Sequence, residues 1–236
     1  MLRTKVESKV IEVTENFKKR KDLKCIFGEP MVSFVNASDE IYEVFHNAGL
    51  SRMPKLTYRP GNTVITHYVP IIEKPESMAR AHFESIWLAM EINRGIKSVF
   101  RDYGRLTSYT SSLVEWDEEK AKYDWDDRIA AYIAGIGKIG PAGSLKVSGS
   151  YGGRSSSMIV DLFLADEKKY ENPESEIDDY LNSACYQAAD EKLISLCPAS
   201  AITEDGINRK ACQEYCKGIN PSTPCPEVCG KCFITI

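Results

Sequence analysis

Long apolar runs are missing from this sequence of 236 residues. No stretch approaches the roughly 20 apolar residues that a spanning helix needs, so a membrane protein of that type is excluded. The first segment, MLRTKVESKVIEVTENFKKRKDLKC, carries charge throughout and has no apolar h-region. The expectation is a soluble, cytoplasmic protein with no membrane partner. A cationic excess is also lacking: 30 Lys and Arg stand against 34 Asp and Glu, the net charge is -4 and the pI about 5.6. The chain as a whole therefore lacks the field that draws proteins to nucleic acid, which is not expected as a partner. Histidine is scarce, and His46, His67 and His82 are scattered. His67 sits in a strand pattern and His82 in a helix pattern, so structural roles are expected of them.

Cysteine is nearly absent too, until the end. Only Cys25 precedes residue 185, whereas Cys185, Cys197, Cys212, Cys216, Cys225, Cys229 and Cys232 follow. In a reducing compartment such a cluster favours metal over disulfides or idle thiols. Zinc wants four Cys or His ligands, commonly as two CxxC-like pairs, and the tail has one clean pair, Cys229-Gly-Lys-Cys232. A ferredoxin-like iron–sulfur site often adds a distant Cys-Pro, which LCPASAITEDGI supplies at Cys197-Pro198. The small residues ASAI after it let backbone N–H groups approach sulfur. The spacing favours iron–sulfur, with zinc as the alternative.

The apolar fraction of 43% is ordinary for a globular chain of this length. Val6, Val10, Val13 and Phe17 mark an amphipathic first helix; GNTVITHYVPII and SSSMIVDLFLA read as strands. SMARAHFESIWLAMEINRGIKSVF is a long helix with apolar residues at Phe83, Ile86, Trp87 and Met90, and DEEKAKYDWDDRIAAYIAG another, ending at Gly135. DEKKYENPESEIDDYLNS reads as a linker, dividing an α/β domain over 1–175 from a cysteine-rich module over 176–236. The class is α+β.

AGIGKIGPAGSL contains GxGxxG at Gly135, Gly137 and Gly140, with Asp161 about 20 residues on. A dinucleotide fold needs a strand before the glycines and a helix after them; here a helix precedes, and a Gly/Ser-rich run follows. Two readings remain: a helix cap with loops, or a wall of bare backbone against which a cofactor can lie. Arg154 in YGGRSSS can pair with a phosphate or a propionamide-bearing tail through its planar donors, or point into water.

Taken in order, YIAGIGKIGPAGSLKV, MIVDLFL, CPASAI, GINRKACQEY and CGKC resemble the epoxyqueuosine reductase and reductive dehalogenase superfamily over roughly residues 125 to 232. That resemblance implies a nitroreductase-like cobalamin-binding domain followed by a small ferredoxin-like iron–sulfur module. It implies a cofactor loop at Gly135, Gly137, Lys138, Ile139 and Gly140, with Arg154 beside it. It further implies one [4Fe-4S] cluster on Cys197, Cys212, Cys229 and Cys232, with Cys216 or Cys225 as alternatives to Cys212. The family's second cluster would need thiols where Gln187, Asp190 and Leu193 stand. Its acidic proton donor falls on Ala121, while Asp127 and Arg128 match the acid and arginine of the same segment. The family's tRNA-handling C-terminal extension is expected to be missing.

Two classes of function follow. The first is a reductase passing single electrons from a [4Fe-4S] cluster to a bound corrinoid, with a small-molecule substrate. The second is a non-catalytic corrinoid-binding or electron-transfer protein serving a redox partner protein. A structural zinc module on an unrelated α/β domain is a third reading.

Overall fold

A computed structural model describes residues 2–103, 107–109, 115–118, 122–140, 143–165, 170, 172–183, 191–203, 206–219 and 229. In chain order the elements are α1 (Leu2–Lys18), β1 (Met31–Asn36), α2 (Glu40–Asn47), α3 (Pro54–Thr57), β2 (Thr63–Ile71) and α4 (Met78–Asp102). Then come β3 (Thr107–Tyr109), β4 (Trp116–Asp117), β5 (Lys122–Tyr123), α5 (Asp127–Ile133), β6 (Lys138–Ile139), β7 (Leu145–Lys146) and β8 (Gly152–Val160). The last are α6 (Pro173–Ser183), α7 (Glu191–Leu196), β9 (Ile202–Thr203), β10 (Gly206–Ile207) and α8 (Arg209–Ile219).

The main sheet runs β1-β2-β8-β3, antiparallel throughout, with Ile65 opposite Phe34 on one side and Met158 on the other. Strand alternation divides its side chains between two layers. Val64, Tyr68 and Ile159 face a core shared with Ile41, Phe45, Ile129 and Ile133 of α2 and α5. Ile65, Val69, Met158 and Val160 face the opposite core, built with Val6, Val10, Leu88, Ile92 and Ile96 of α1 and α4. Both faces are thus covered, which is why β2 buries every residue but Pro70. Each fully buried Ile contributes roughly 1.5–3 kcal/mol. The molecule is a mixed α and β structure with small antiparallel sheets.

Two elements differ from the expectation. The segment before Gly135 is a helix only from Asp127, because Asp126 caps it by accepting from the backbone N–H of Arg128. Upstream, Trp116 and Tyr123 pair across the β4–β5 hairpin, edge to face at 4.9 Å, and take the charge run out of the helix. On α4 the buried stripe is Leu88, Ile92, Ile96 and Phe100, while Met90 is exposed and Phe83 and Trp87 lie half-buried at the rim. There Arg20 stacks on Trp87 at 3.6 Å, so apolar side chains on that edge pack beneath a cation. The expected division near residue 175 falls inside α6, whose Ile177 and Tyr180 pack in the first core.

Candidate active site and thiol cluster

A cavity of about 360 Å³ opens where β8, β2, α4, α5, the β4–β5 hairpin and α8 meet. Its position follows from the backbone of β8. Gly152 and Gly153 hold φ +148 and +153, and a Cβ on Gly153 would stand 2.5 Å from the Val69 carbonyl oxygen and 2.6 Å from the Tyr68 ring. Only glycine lets the strand press against β2 here and leave room above it. Gly153→Ala is expected to cost about 2 kcal/mol and, for a chain of this size, to lower Tm by roughly 4–8 °C in a thermal unfolding scan.

On the floor of the cavity, Trp125 Nε1 donates to Ser157 Oγ at 2.9 Å and to Asp127 Oδ1 at 3.1 Å, and the Ser157 hydroxyl donates to the same carboxylate. Burial raises the Asp127 pKa, while the Ser157 hydrogen bond and then the Arg154 charge oppose the rise. Its neighbour behaves differently. Burial works against ionisation of Asp126, yet the charge and hydrogen bonds of Arg128 win and hold its carboxyl at about 2. Arg128 grips it through Nε at 2.9 Å and a terminal nitrogen at 2.5 Å, and also donates to the Gly143 carbonyl at 2.9 Å. His82 enters from α4; burial, then the Arg154 charge, push its imidazole down to about 4, so it faces the cavity neutral at pH 7. Arg209, the first residue of α8, reaches the same cavity.

Read as one helix, DEEKAKYDWDDRIAAYIAG gives no sign of this carboxylate pair at a cavity. The local signal was available: an Asp directly before an apolar helix is a cap, and the next acid then lies inside the first turn.

The glycine loop is arranged around a second, larger cavity of about 1070 Å³, lined by Gly137, Lys138, Lys146, Ser150, Tyr151 and Met78 among others. Gly135 takes φ +68 just beyond the α5 cap. At Gly137 a Cβ would lie 2.6 Å from the Lys146 carbonyl oxygen, so bare backbone brings the two limbs of the β6–β7 hairpin together. Gly140 donates its N–H to the Ser144 carbonyl at 2.7 Å, and Ile139 is buried in the first core. Among the described residues the glycines are followed by β7 and β8 before any helix, in keeping with the rejection of a dinucleotide fold. Of the residues anticipated for a cofactor, Gly137 and Lys138 line this cavity and Arg154 the smaller one.

Thiols gather along α8 beyond Arg209. Cys212 and Cys216, one turn apart, share a side-chain hydrogen bond, and Cys229 meets the Cys216 thiol through its backbone. Burial raises the Cys212 pKa; its bond to Cys216 opposes this, and the nearby Cys229 and Cys197 add to it. Cys216 is fully buried, and burial first, then Cys212 and Cys229, push it up to about 12. Cys197 accepts from the backbone N–H of Ala201 at 3.3 Å, across a turn in which Ser200 takes φ +48. Among the described residues no three ligating side chains are gathered as if around one metal ion. Soft thiols drawn from α7–β9, α8 and the last segment are nonetheless the donor chemistry that iron–sulfur or zinc requires. Cys185, Cys225 and Cys232 lie outside the described residues, as does Ala121.

No family model matches the sequence, and no curated protein matches it. Solved structures do. An epoxyqueuosine reductase crystallised with an epoxyqueuosine-modified tRNA-Tyr stem loop aligns with a TM-score of 0.50 and 14% identity, over 91% of this chain and 58% of that one. The fold is epoxyqueuosine-reductase-like. Epoxyqueuosine reductases from Streptococcus thermophilus and Bacillus subtilis align at TM-scores of 0.47 and 0.45, with 15% and 14% identity. They are matched over 88% and 90% of this chain and 57% of each of their own. The chain therefore spans less than three fifths of the length of the structures it is similar to. Among the described residues, no helix is long and apolar enough to cross a membrane.

Proposed function

We propose that this chain is a reductase-type redox protein, with an iron–sulfur cluster on its tail thiols, a corrinoid over the glycine loop and a substrate in the smaller cavity. The observation that carries the reading is the placement of α8. Its first residue, Arg209, lines the cavity, and Cys212 and Cys216 on its next turns lie among the thiols, so one short helix joins a sulfur-rich site to a pocket holding ionisable groups.

Cys197, Cys212, Cys229 and Cys232 would hold a [4Fe-4S] cluster, with Cys216, already against Cys212 and Cys229, as the alternative to Cys212. When bound, the two groups supply single electrons and a cobalt centre at which a bond can be reduced. The protein's own residues do the rest. Ala201 N–H, directed at the Cys197 sulfur, stabilises a thiolate there. Gly137 gives close approach of backbone beside Lys138, and Arg128 keeps Asp126 ionised and fixed at the cavity wall. Asp127, its pKa raised by burial, is the acid of the cavity best able to hold a proton for transfer. This division makes residues 1–175 together with α6 the cofactor domain, and the cysteine-bearing remainder the electron-entry module.

The tRNA stem loop in the similar structure is not taken over as a substrate. This chain is acidic overall, so a small molecule or a redox partner protein is the better reading.

Anaerobic purification tests the proposal. A brown protein with about four irons per chain and a broad absorption near 400 nm is expected, and Cys197→Ser should lose most of that iron. Added cob(II)alamin should then change its EPR spectrum through altered axial ligation. Stoichiometric zinc in place of iron, or an unchanged EPR spectrum, removes the cluster or the corrinoid respectively.

A further inference from the structure

The smaller cavity is electrostatically out of character with the chain. Overall the protein carries a net charge of -4, yet four cations, Lys122, Arg128, Arg154 and Arg209, line this cavity against two carboxylates, Asp126 and Asp127. The carboxylates are already occupied. Asp126 is gripped by Arg128, and Asp127 accepts from Trp125 and Ser157. Lys122 likewise donates to the Gly49 carbonyl at 2.8 Å. The guanidiniums of Arg154 and Arg209 are different: they act on Asp127 and Asp126 through charge, but among the described residues neither takes part in an ion pair or a side-chain hydrogen bond. They reach the cavity from unrelated elements, β8 and α8. The neutral His82 beside Arg154 adds a polar atom without adding charge.

The remaining wall is aromatic. Trp116 and Tyr123, packed edge to face, stay 42% and 53% exposed at the mouth, and Tyr68 and Trp125 lie deeper. The pair holds the hairpin together yet leaves both rings partly exposed at the cavity mouth, where such rings commonly cover a flat ligand.

We infer that this cavity binds a small aromatic anion, with Arg154 and Arg209 clamping its carboxylate or phosphate from two sides and the hairpin rings covering its flat part. The inference rests on the proposed reductase reading only in taking this ligand as the substrate. A planar guanidinium pairs with either oxyanion through two parallel N–H donors, so both headgroups share one chemistry. The volume of about 360 Å³ suits a single-ring compound.

The probes are benzoate, phenyl phosphate and neutral benzamide, titrated calorimetrically into the full-length protein and followed in parallel by tryptophan fluorescence. At least one anion should bind with a Kd below about 1 mM, and benzamide about tenfold more weakly or worse. Whichever of benzoate and phenyl phosphate binds more tightly identifies the headgroup. Arg154→Gln and Arg209→Gln should each weaken anion binding by about tenfold while leaving benzamide unaffected, which a misfolded variant would not do. Raising salt should weaken the anion alone. Equal binding of benzamide, no binding of either anion, or either variant binding like wild type overturns the inference. Iron content separates it from the reductase reading. Loss of anion binding with about four irons retained sinks only the ligand assignment, and intact anion binding without iron sinks only the redox one.

Discussion

Between pH 6.5 and 4 this protein is expected to lose about 3 kcal/mol of stability through His67 alone. The residue sits on β2 with no exposed surface, Nε2 against Asn93 Oδ1 at 2.8 Å and Nδ1 without a partner among the described residues. Burial lowers its pKa from 6.5 to about 4, only partly offset by the Asn93 hydrogen bond. A histidine depressed in this way is neutral when folded and charged when unfolded, so over that window the unfolded chain binds the extra proton. Stability is therefore complete above about pH 6.5, falls as pH drops toward 4, and His67 contributes no further change below that. His82 is shifted in the same direction and deepens the loss. Asp126 acts lower down: its contribution is present above the usual carboxylate pKa of 3.8 and disappears as pH falls toward about 2. Urea unfolding at a series of pH values checks this. The wild-type midpoint should fall steeply below pH 6.5, and His67→Gln should flatten the slope while lowering the pH 7 value. A wild-type midpoint unchanged from pH 7 to 4.5 would refute the account.

The same histidine shows what a sequence can disclose. THYV in a β-branched run marks His67 as a strand residue with a structural role, because period-two patterning is a local property. β2, β8, α1 and α4 were legible for the same reason. The face of α4 was less so: Phe83, Ile86, Trp87 and Met90 form as good an apolar stripe as Leu88, Ile92 and Ile96, and only the position of α1 and the sheet chooses between them. The hairpin at Trp116–Tyr123 was hidden under charges that favour a helix, since it depends on one aromatic pair and on the Asp126 cap. The cavity was hidden more deeply. Arg154 and the tail cysteines were identifiable one by one, but nothing local links Arg209 to residues some 80 positions earlier. That neighbourhood arises from packing. By contrast, the turn after Cys197-Pro198 could be read from its small residues, and Ala201 N–H does approach the sulfur.

Glu84 is the charged residue whose loss should cost most. It lies on α4 with no exposed surface, and the sequence gives no hint of it, because a Glu between Phe83 and Ile86 looks like any helical carboxylate. Its oxygens accept from the backbone N–H of Lys24 at 3.0 and 3.1 Å and of Cys25 at 3.0 Å, and from Arg80 Nε at 2.6 Å. Three donors from two separate segments thus converge on one carboxylate, pinning the loop after α1 to the middle of the molecule. Burial, then the Glu84 charge, also push the Cys25 thiol up to about 12, which keeps it protonated at neutral pH. Glu84→Ala would strand two buried N–H groups and leave the Arg80 charge uncompensated, a loss of about 3–5 kcal/mol. Glu84→Gln keeps the shape and one acceptor, so it should cost roughly half as much. Arg80→Gln should cost about 1 kcal/mol or less, because that guanidinium is 40% exposed and water can replace it. Chemical denaturation of the three variants tests the order Ala, Gln, then Arg80→Gln. If Arg80→Gln proved as damaging as Glu84→Ala, the ion pair and not the backbone clamp would be what fastens the loop.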